Sequence, residues 1–230
     1  MKLNYAELEM TYSPVRADVW EAKKGKEVRF WDRWLDKHAR EYDKPSPLAK
    51  HLEPLVNGSA RIADVCSGAC CLIGGYNTIA SDILAETYMG MWRRLGIEPA
   101  IPIECQDATR LTYADDTFDL VHCRNAIDHS SDPRGILAEL VRICRPGGMV
   151  YLMHLVNVGH LSHYAGLHRW NVTIDGYVWR PALAREWEDG RWSEECVIGF
   201  QIDECLPGAA TVKGDRHSRV ETKWRKPSDV

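Results

Sequence analysis

The chain has 230 residues, 45% of them hydrophobic and 27% charged, with a formal net charge of −4. This size can bury one sizeable core, and no apolar run approaches the roughly 18 residues that a membrane-spanning helix needs. The opening residues lack the basic-then-apolar pattern of a secretory signal, so we expect a soluble cytoplasmic protein. The net charge is slightly negative and shows no excess of the basic residues that bind nucleic acid, so we expect a small substrate.

Eight cysteines are scattered along the chain, and several fall inside apolar runs that are typical of strands. Such thiols are commonly small core residues of proteins in a reducing compartment. Cys66, Cys70 and Cys71 lie close together, but no paired C-x-x-C or H-x-x-x-H pattern accompanies them. We therefore predict no metal site.

The first predicted element is an amphipathic helix within residues 18–42, where apolar residues recur at steps of three and four. Two prolines in "DKPSPL" (43–48) break this pattern before a short helical stretch at 48–56. We expect residues 1–58 to form an N-terminal helical cap and residues 59–230 to form one α/β unit.

From residue 60 onward, short apolar runs alternate with helical stretches, a pattern that predicts a parallel sheet with crossover helices. After residue 155 the rhythm stops, but "GYVW", "ECVIGFQID" and "SRVETKW" look like strands. We expect this tail to add antiparallel strands to one edge and to drape a loop over the ligand end. The predicted strands are 60–65, 77–82, 100–107, 118–125 and 148–154, and the predicted helices are 83–96 and 132–145.

The turn after the first strand reads "DVCSGACC" (64–71) and consists largely of small residues. Ligands of open parallel sheets lie at the carboxyl ends of the strands, and small residues let a backbone approach a ligand closely. A pyrophosphate would require G-x-G-x-x-G, whereas only Gly68 is present here. Asp64 would repel a phosphate but attract an ammonium group.

Two further acids close the next two strands. Asp82 is placed to accept hydrogen bonds from a ribose diol, the role of an acid at this position in nucleoside-binding sheets. Asp107 could accept from an adenine amino group, with the Ala108 amide facing a ring nitrogen. Three acids at successive strand ends suit S-adenosylmethionine, which combines a nucleoside with an ammonium and a sulfonium group.

Over residues 60–155 the chain resembles the class I S-adenosylmethionine-dependent methyltransferases, with a domain of the type-11 kind. The resemblance rests on "DVCSGACC", "SD" (81–82), "QDA" (106–108), "DDTFDLVHCRNAIDHSSDP" (115–133) and "LVRICRPGGMVYL" (140–152). It implies a Rossmann-like α/β sheet, S-adenosylmethionine as cofactor and methyl transfer as the activity. The family motif is usually acid-x-Gly-x-Gly-x-Gly, but Cys66 and Cys70 replace the outer glycines here. Because a Cβ disfavours positive φ, we expect each cysteine to narrow the pocket or to shift the turn.

Methyl transfer needs an aligned acceptor and, for a hydroxyl, a group that removes a proton. We predict His129 after the fourth strand, or His154 after the fifth, as that base. Trp31 and Tyr164 are further candidates for an apolar acceptor wall. The predicted cofactor-binding residues are Asp64, Cys66, Ser67, Gly68, Asp82, Ile83, Asp107, Ala108 and Asn125, and the predicted substrate-binding residues are His129, His163, His168 and Trp170.

The sequence thus predicts methyl transfer to a hydroxyl or other heteroatom of a small molecule, a sugar or a glycan precursor. The loop after the fourth strand has no Asn/Asp-Pro-Pro-aromatic pattern, which argues against methylation of a nucleobase amine. One alternative is a protein that binds S-adenosylmethionine without turnover, which the cysteines in the turn leave open. Another is a nucleotide-dependent oxidoreductase, against which the sparse glycines argue.

Overall fold

The structure is a computed structural model that describes most of the chain. The described residues are 17–130, 132–162, 166–168, 170–172, 176–179, 198–213 and 219–228. No helix in these ranges combines the length and the apolar character needed to cross a bilayer.

Four helices are described, and two of them have clear end signals. Helix α3 begins after Asp132, whose side chain accepts a hydrogen bond from the Gly135 amide at 2.8 Å, with Pro133 in the first turn. Helix α2 ends at Gly96, which has the left-handed φ of 70°. The helices are α1 (Ala17–His38), α2 (Ala85–Leu95), α3 (Pro133–Ile143) and α4 (Val158–Leu161).

Ten strands lie in the described ranges, and they form two sheets. The main sheet has seven strands in the order β3-β2-β1-β4-β5-β10-β9, and the second has the order β6-β7-β8. The strands are β1 (Ile62–Val65), β2 (Thr78–Asp82), β3 (Ile103–Cys105), β4 (Phe118–Arg124), β5 (Cys144–Leu155), β6 (Trp170–Val172), β7 (Gly176–Trp179), β8 (Ile198–Gln201), β9 (Ala210–Lys213) and β10 (Arg219–Arg225).

The first five strands of the main sheet are parallel, and β10 and β9 extend it in antiparallel fashion beyond β5. The chain runs outward from β1 through β2 to β3 and then returns to β4 on the other side of β1. Strands β1 and β4 therefore flank the switch point, where open α/β sheets bind their ligands. The predicted Rossmann-like α/β fold with added antiparallel strands is confirmed.

Hydrophobic clusters cover both faces of the sheet. Ala63 and Val65 of β1 pack with the buried face of α3, including Leu137. On the other face, Ile62 packs in a cluster that includes Trp31 of α1 and Trp92 of α2. Alternate residues of β1 thus point to opposite faces, as the period of a strand requires. Helix α1 shares the core of the sheet, so the segment predicted as a cap packs directly against it.

The connection from β1 to β2 contains no helix. Residues 66–77 form turns only, although a parallel crossover usually carries a helix and needs about a dozen residues. Trp31 and Leu35 of α1, both buried, lie in the same cluster as Ala69 and Cys70 of this connection. Helix α1 therefore packs on the connecting segment itself.

The predicted elements all occur, with shifted ends. The strand predicted at 100–107 is limited to Ile103–Cys105, and the helix predicted at 48–56 is reduced to a single 3-10 turn at Glu53–Leu55. The fifth strand begins at Cys144 rather than at residue 148, because Gly147 and Gly148 exchange backbone hydrogen bonds with Lys226. Pairing with a distant segment, which local sequence does not encode, extends this strand.

Candidate active site

A cavity of about 740 Å³ opens at the carboxyl ends of β1 to β4. Its wall is built from the loops after these strands, from helix α1 and from the segment before β6. The predicted site residues that line it are Asp64, Cys66, Ser67, Gly68, Asp82, Ile83, Asp107, Ala108, Asn125, His129 and His168.

The turn after β1 adopts the conformation of a glycine-rich turn in spite of its cysteine. Cys66 has a φ of 58° and Gly68 a φ of 69°. Cys66 thus takes the left-handed conformation that favours glycine, and it lines the cavity. Cys70 is fully buried in the core, where a larger turn residue would collide with packed side chains. Of these two cysteines, Cys66 therefore adds only a small thiol group to the cavity wall.

Asp82 joins the turn after β1 to the loop after β2. Its Oδ2 accepts from the Gly68 amide at 3.0 Å, and its Oδ1 accepts from the Leu84 amide at 2.9 Å. Burial raises the pKa of Asp82 to about 6, and these two hydrogen bonds oppose the rise only in part. Ile83, half exposed, extends the wall next to this carboxyl group.

Asp64 is not a free carboxylate at a strand tip. It is 3% exposed, and its Oδ1 accepts a hydrogen bond from His122 Nδ1 at 2.7 Å. His122 lies directly opposite Asp64 in the pairing of β1 with β4, and both residues line the cavity. Sequence reasoning missed His122; the available signal was that β1 and β4 are neighbours in this fold class. The predicted interaction of Asp64 with an ammonium group would have to share this carboxylate with an imidazole.

Asp107, Ala108 and Asn125 lie in the loops after β3 and β4. Asp107 Oδ1 accepts from the amide and the hydroxyl of Thr109, which fixes a tight turn beside the Ala108 backbone. Asn125 has a φ of 49°, and its side-chain oxygen accepts from the Leu155 amide at 3.2 Å. The Asn125 side chain therefore ties β4 to β5 while the residue lines the cavity.

Three polar side chains meet beside the cavity at the loop after β4. His168 Nδ1 is 2.6 Å from Asp128 Oδ2 and 3.2 Å from His129 Nε2. Asp128 is fully buried, whereas the two imidazoles are about one-fifth exposed and line the cavity. Burial would raise the pKa of Asp128, but the charge of His129 and the hydrogen bond from His168 outweigh it and lower the pKa to about 2.

Two predicted residues lie elsewhere, and two lie outside the described residues. His154 is 2% exposed on β5 and is not part of the cavity wall, so its position does not suit the predicted role of a base that reaches the acceptor. Burial also lowers the pKa of His154 to about 4. Trp170 is buried, and its Nε1 donates to the Ser130 carbonyl at 3.0 Å. Trp170 thus holds the loop after β4 and is not a wall of the acceptor pocket; His163 and Tyr164 are outside the described residues.

Helix α1 supplies cavity residues that the sequence did not assign to the site. Glu27, Phe30 and Trp34 line the cavity together with Trp31, which was already a candidate. Arg124, at the end of β4, is the cation on this wall that sequence reasoning also missed. The amphipathic pattern of α1 indicated a packed helix, but which strand ends it would cover depends on the tertiary fold.

Residues 58–152 match the family model described as "Methyltransferase domain". The match covers the segment that holds β1 to β4 and nearly all of β5, and so includes most of the cavity wall. This part of the chain is a methyltransferase domain. The predicted resemblance to class I S-adenosylmethionine-dependent methyltransferases is thereby confirmed for the segment.

Curated relatives match over limited stretches. The methyltransferase GfsG of Streptomyces halstedii is 33% identical over 73 residues, which are 32% of this chain and 26% of that protein. A demethylmenaquinone methyltransferase of Streptomyces avermitilis is 39% identical over 54 residues, 24% of this chain and 23% of that protein. The chain thus spans about a quarter of the length of these two relatives.

Among solved structures, an S-adenosylmethionine-dependent methyltransferase of Mesorhizobium loti aligns with a TM-score of 0.49 at 16% identity. The alignment covers 76% of this chain and 96% of that one.

Proposed function

We propose that this chain binds S-adenosylmethionine and transfers its methyl group to a hydroxyl or other heteroatom of a small molecule, a sugar or a glycan precursor. The observation that carries the proposal is one cavity whose wall includes the turn after β1, the acids after β2 and β3, and the histidines His129 and His168. A cofactor and an acceptor can therefore meet in one space. The match of residues 58–152 to the methyltransferase domain supports the same chemistry.

The turn and the acids would hold the cofactor. Asp82 would accept hydrogen bonds from the ribose hydroxyls, since each carboxylate oxygen has lone pairs beyond the one that its backbone donor uses. Asp107 and the Ala108 amide would bind the adenine. The small residues from Cys66 to Gly68 would let the backbone lie against the methionine portion, because little side-chain volume stands between them and the cavity.

Asp64 and Asn125 would act beside the sulfonium end. Asp64 would hold its charge in place through His122, so that the pair and not the carboxylate alone faces the amino-acid part of the cofactor. Asn125 would act mainly by keeping the β4 loop against β5. Both residues line the cavity, which is the support for their assignment.

Methyl transfer from a sulfonium is an in-line displacement. The acceptor lone pair forms the new bond to the methyl carbon while the carbon–sulfur bond breaks, and its electron pair stays on sulfur to give S-adenosylhomocysteine. A hydroxyl acceptor also has to lose its proton, either before or during this step. His129 and His168, in contact with buried Asp128, form the proposed acceptor end because they line the same cavity as Asp82 and Asp107.

The segment 1–58 would act as a cap of the same structural unit. Phe30 and Trp34 of α1 line the cavity opposite the strand ends and would limit the access of water to a bound cofactor. This role is compatible with the packing of α1 on the core of the sheet.

Isothermal titration of the full chain with S-adenosylhomocysteine tests the cofactor, and a panel of hydroxyl acceptors with methyl-labelled S-adenosylmethionine tests the reaction. We expect one cofactor per chain and labelled product with at least one acceptor. Binding without product across the panel would support the alternative of an inactive binding protein. Binding of NADH, seen as a change in its fluorescence, together with no binding of S-adenosylhomocysteine would contradict the proposal and favour an oxidoreductase.

A further inference from the structure

Three metal-ligating atoms converge beside the cavity, and their arrangement suits a bound cation. His168 Nδ1, His129 Nε2 and Asp128 Oδ2 are separated by 2.6 Å, 3.2 Å and 3.7 Å in the three pairs. In the part of the chain that the structure describes, this is the group of three such atoms close enough to share an ion.

One proton cannot give every contact of this triangle a full, linear hydrogen bond. A nitrogen of a neutral imidazole either donates one hydrogen or accepts with one lone pair. If Nδ1 of His168 donates to Asp128, its only hydrogen points at the carboxylate, and Nε2 of His129 can share it only as the second, weaker acceptor of a three-centre bond. If Nε2 of His129 donates to Nδ1 of His168 instead, Nδ1 uses its lone pair as the acceptor. No hydrogen then lies between Nδ1 and the Asp128 carboxylate, although the two are in contact. One positive centre between the three atoms would satisfy all of them together.

The buried carboxylate gives a second, independent indication. Asp128 is 0% exposed, and its other oxygen, Oδ1, has no hydrogen-bond partner among the described residues. A buried ionised carboxylate is costly unless its charge is compensated and its oxygens are bonded. Among the described residues a single hydrogen bond, from His168, reaches the carboxylate at Oδ2, so Oδ1 keeps acceptor capacity that a cation could use.

We propose that Asp128, His129 and His168 bind a divalent transition-metal ion of the zinc type. Two imidazoles and one carboxylate are a donor set that suits such ions better than Mg²⁺ or Ca²⁺, which prefer oxygen ligands throughout. Metal–ligand bonds of about 2.1 Å in a tetrahedral site put ligand atoms about 3.4 Å apart, close to the mean of the three separations here. The 2.6 Å pair is at hydrogen-bond distance and would have to lengthen by about 0.8 Å when the ion takes the place of the hydrogen.

The site keeps an open side, which is the hallmark of a catalytic rather than a structural metal centre. Both imidazoles line the cavity, while Asp128 lies behind them in the protein interior. Three protein ligands and one position for water or substrate are typical of catalytic zinc sites. An ion held here could therefore contact a molecule in the cavity directly.

The fold holds the three ligands by independent means. Asp128 and His129 lie on the 3-10 turn Ile127–His129, in which the His129 amide donates to the Ala126 carbonyl at 2.9 Å. His168 comes from the segment before β6, and Trp170 fastens that segment to the loop by its hydrogen bond to Ser130. The ligands are thus preorganised without a metal, as an engineered or natural site requires. The absence of any local metal-ligand spacing explains why the sequence predicted no metal site.

The role of the ion rests on the proposed function. A hydroxyl of the acceptor that binds to the ion would lose its proton to water more readily, because the metal stabilises the alkoxide, and the alkoxide would then attack the methyl group. His129 would act as a ligand of the ion, and this replaces its predicted role as the base. The ion itself undergoes no change of oxidation state in this step.

Cobalt(II) absorption tests the site on the full chain, after treatment with a chelator and its removal by dialysis. We expect one Co²⁺ per chain, displaced by Zn²⁺, and a loss of affinity of at least about tenfold in His129→Gln and in His168→Gln. His51→Gln is the matched control, because His51 is an exposed histidine outside the cavity, and it should bind Co²⁺ as the unmodified chain does. Both ligand variants keep a partly exposed side chain, and circular dichroism reports whether they are folded.

The two proposals fail in different ways. Titration with S-adenosylhomocysteine on the same samples separates them: cofactor binding without Co²⁺ binding would overturn the cation site and leave the proposed function standing. Co²⁺ binding that is unchanged in both ligand variants would also overturn the site. Co²⁺ binding that depends on both histidines, in a chain that binds no S-adenosylhomocysteine, would support the site and contradict the proposed function.

Discussion

Gly68 is the residue on which the turn after β1 depends most directly. It has a φ of 69°, and a Cβ built on it would lie 2.1 Å from the ring of Trp31. Its amide also donates to Asp82. One residue thus needs a left-handed backbone, an absent side chain and a fixed direction of its N–H, and only glycine meets the first two without strain.

Gly68→Ala should destabilise the chain by about 3 kcal/mol, through the combined cost of overpacking against Trp31 and of the positive φ. Gly90→Ala in α2 is the control, because nothing lies within 4 Å of the added Cβ, and it should leave stability unchanged or raise it by about 0.5 kcal/mol. Urea unfolding measures both. Equal effects of the two substitutions would contradict the close approach of Trp31.

Asp82 should make cofactor binding depend on pH. The ionised carboxylate accepts hydrogen bonds from ribose hydroxyls more strongly than the protonated group does, and burial raises its pKa to about 6. Affinity for S-adenosylhomocysteine should therefore fall as the pH drops through about 6, by up to about tenfold per pH unit. The pKa of Asp82 in the folded chain exceeds the usual 3.8, so protonation of Asp82 stabilises the folded chain in this pH range. Acid unfolding caused by Asp82 therefore does not explain the loss of affinity.

Titration calorimetry between pH 5 and pH 8, about three pH units around this pKa, measures the effect. Asp82→Asn is the control: it should bind more weakly and without the pH dependence centred near 6. The same pH profile in this variant would assign the dependence to another group.

Helix α1 is the element whose contribution to the site was least visible in the sequence. Its Trp31 is 9% exposed, lies edge-on to Tyr88 of α2 at a centroid distance of 6.2 Å, and covers the turn after β1. The connection from β1 to β2 has no helix of its own. Helix α1 therefore both stabilises the domain and closes the cavity, two roles that a flexible cap would not combine.

Trp31→Ala should lower the free energy of unfolding by about 3 kcal/mol, because it leaves a large cavity in the core beside α2. Arg94→Ala removes exposed ion pairs from Arg94 of α2 to Asp32 and Asp36 of α1, and solvent screens such pairs. We expect only a small change that disappears at high salt. Urea unfolding at low and high salt compares the two variants, and a larger loss in Arg94→Ala would mean that charge, not burial, holds α1 in place.

At the scale of the whole molecule, the site combines segments from Glu27 to His168, while the antiparallel strands β9 and β10 lie at the opposite side of the sheet. Bound S-adenosylhomocysteine should slow amide hydrogen exchange in residues 27–34, 66–72 and 82–84. It should leave β9 and β10 nearly unchanged, since none of the side chains described in these strands lines the cavity. Peptide-resolved hydrogen–deuterium exchange measures this, and protection confined to β9 and β10 would place the ligand elsewhere.

The sequence by itself determined the order of strands and helices, the parallel sheet and the acids at the strand ends. These features follow from local periodicity and from motifs whose residues are neighbours in the chain, as in "DVCSGACC" and "RPGG". Asp82 was predictable because its place at the end of a strand already sets which edge of the sheet it occupies.

Only the tertiary structure decided which side chains meet. His122 reaches Asp64 because β1 and β4 pair in one particular register, and His168 reaches Asp128 because the segment before β6 folds back over the β4 loop. His154 and Trp170 were misplaced because the direction of a side chain, into a cavity or into the core, depends on what packs against it. Contacts between residues far apart in the chain arise from packing of the whole fold, and no local pattern encodes them.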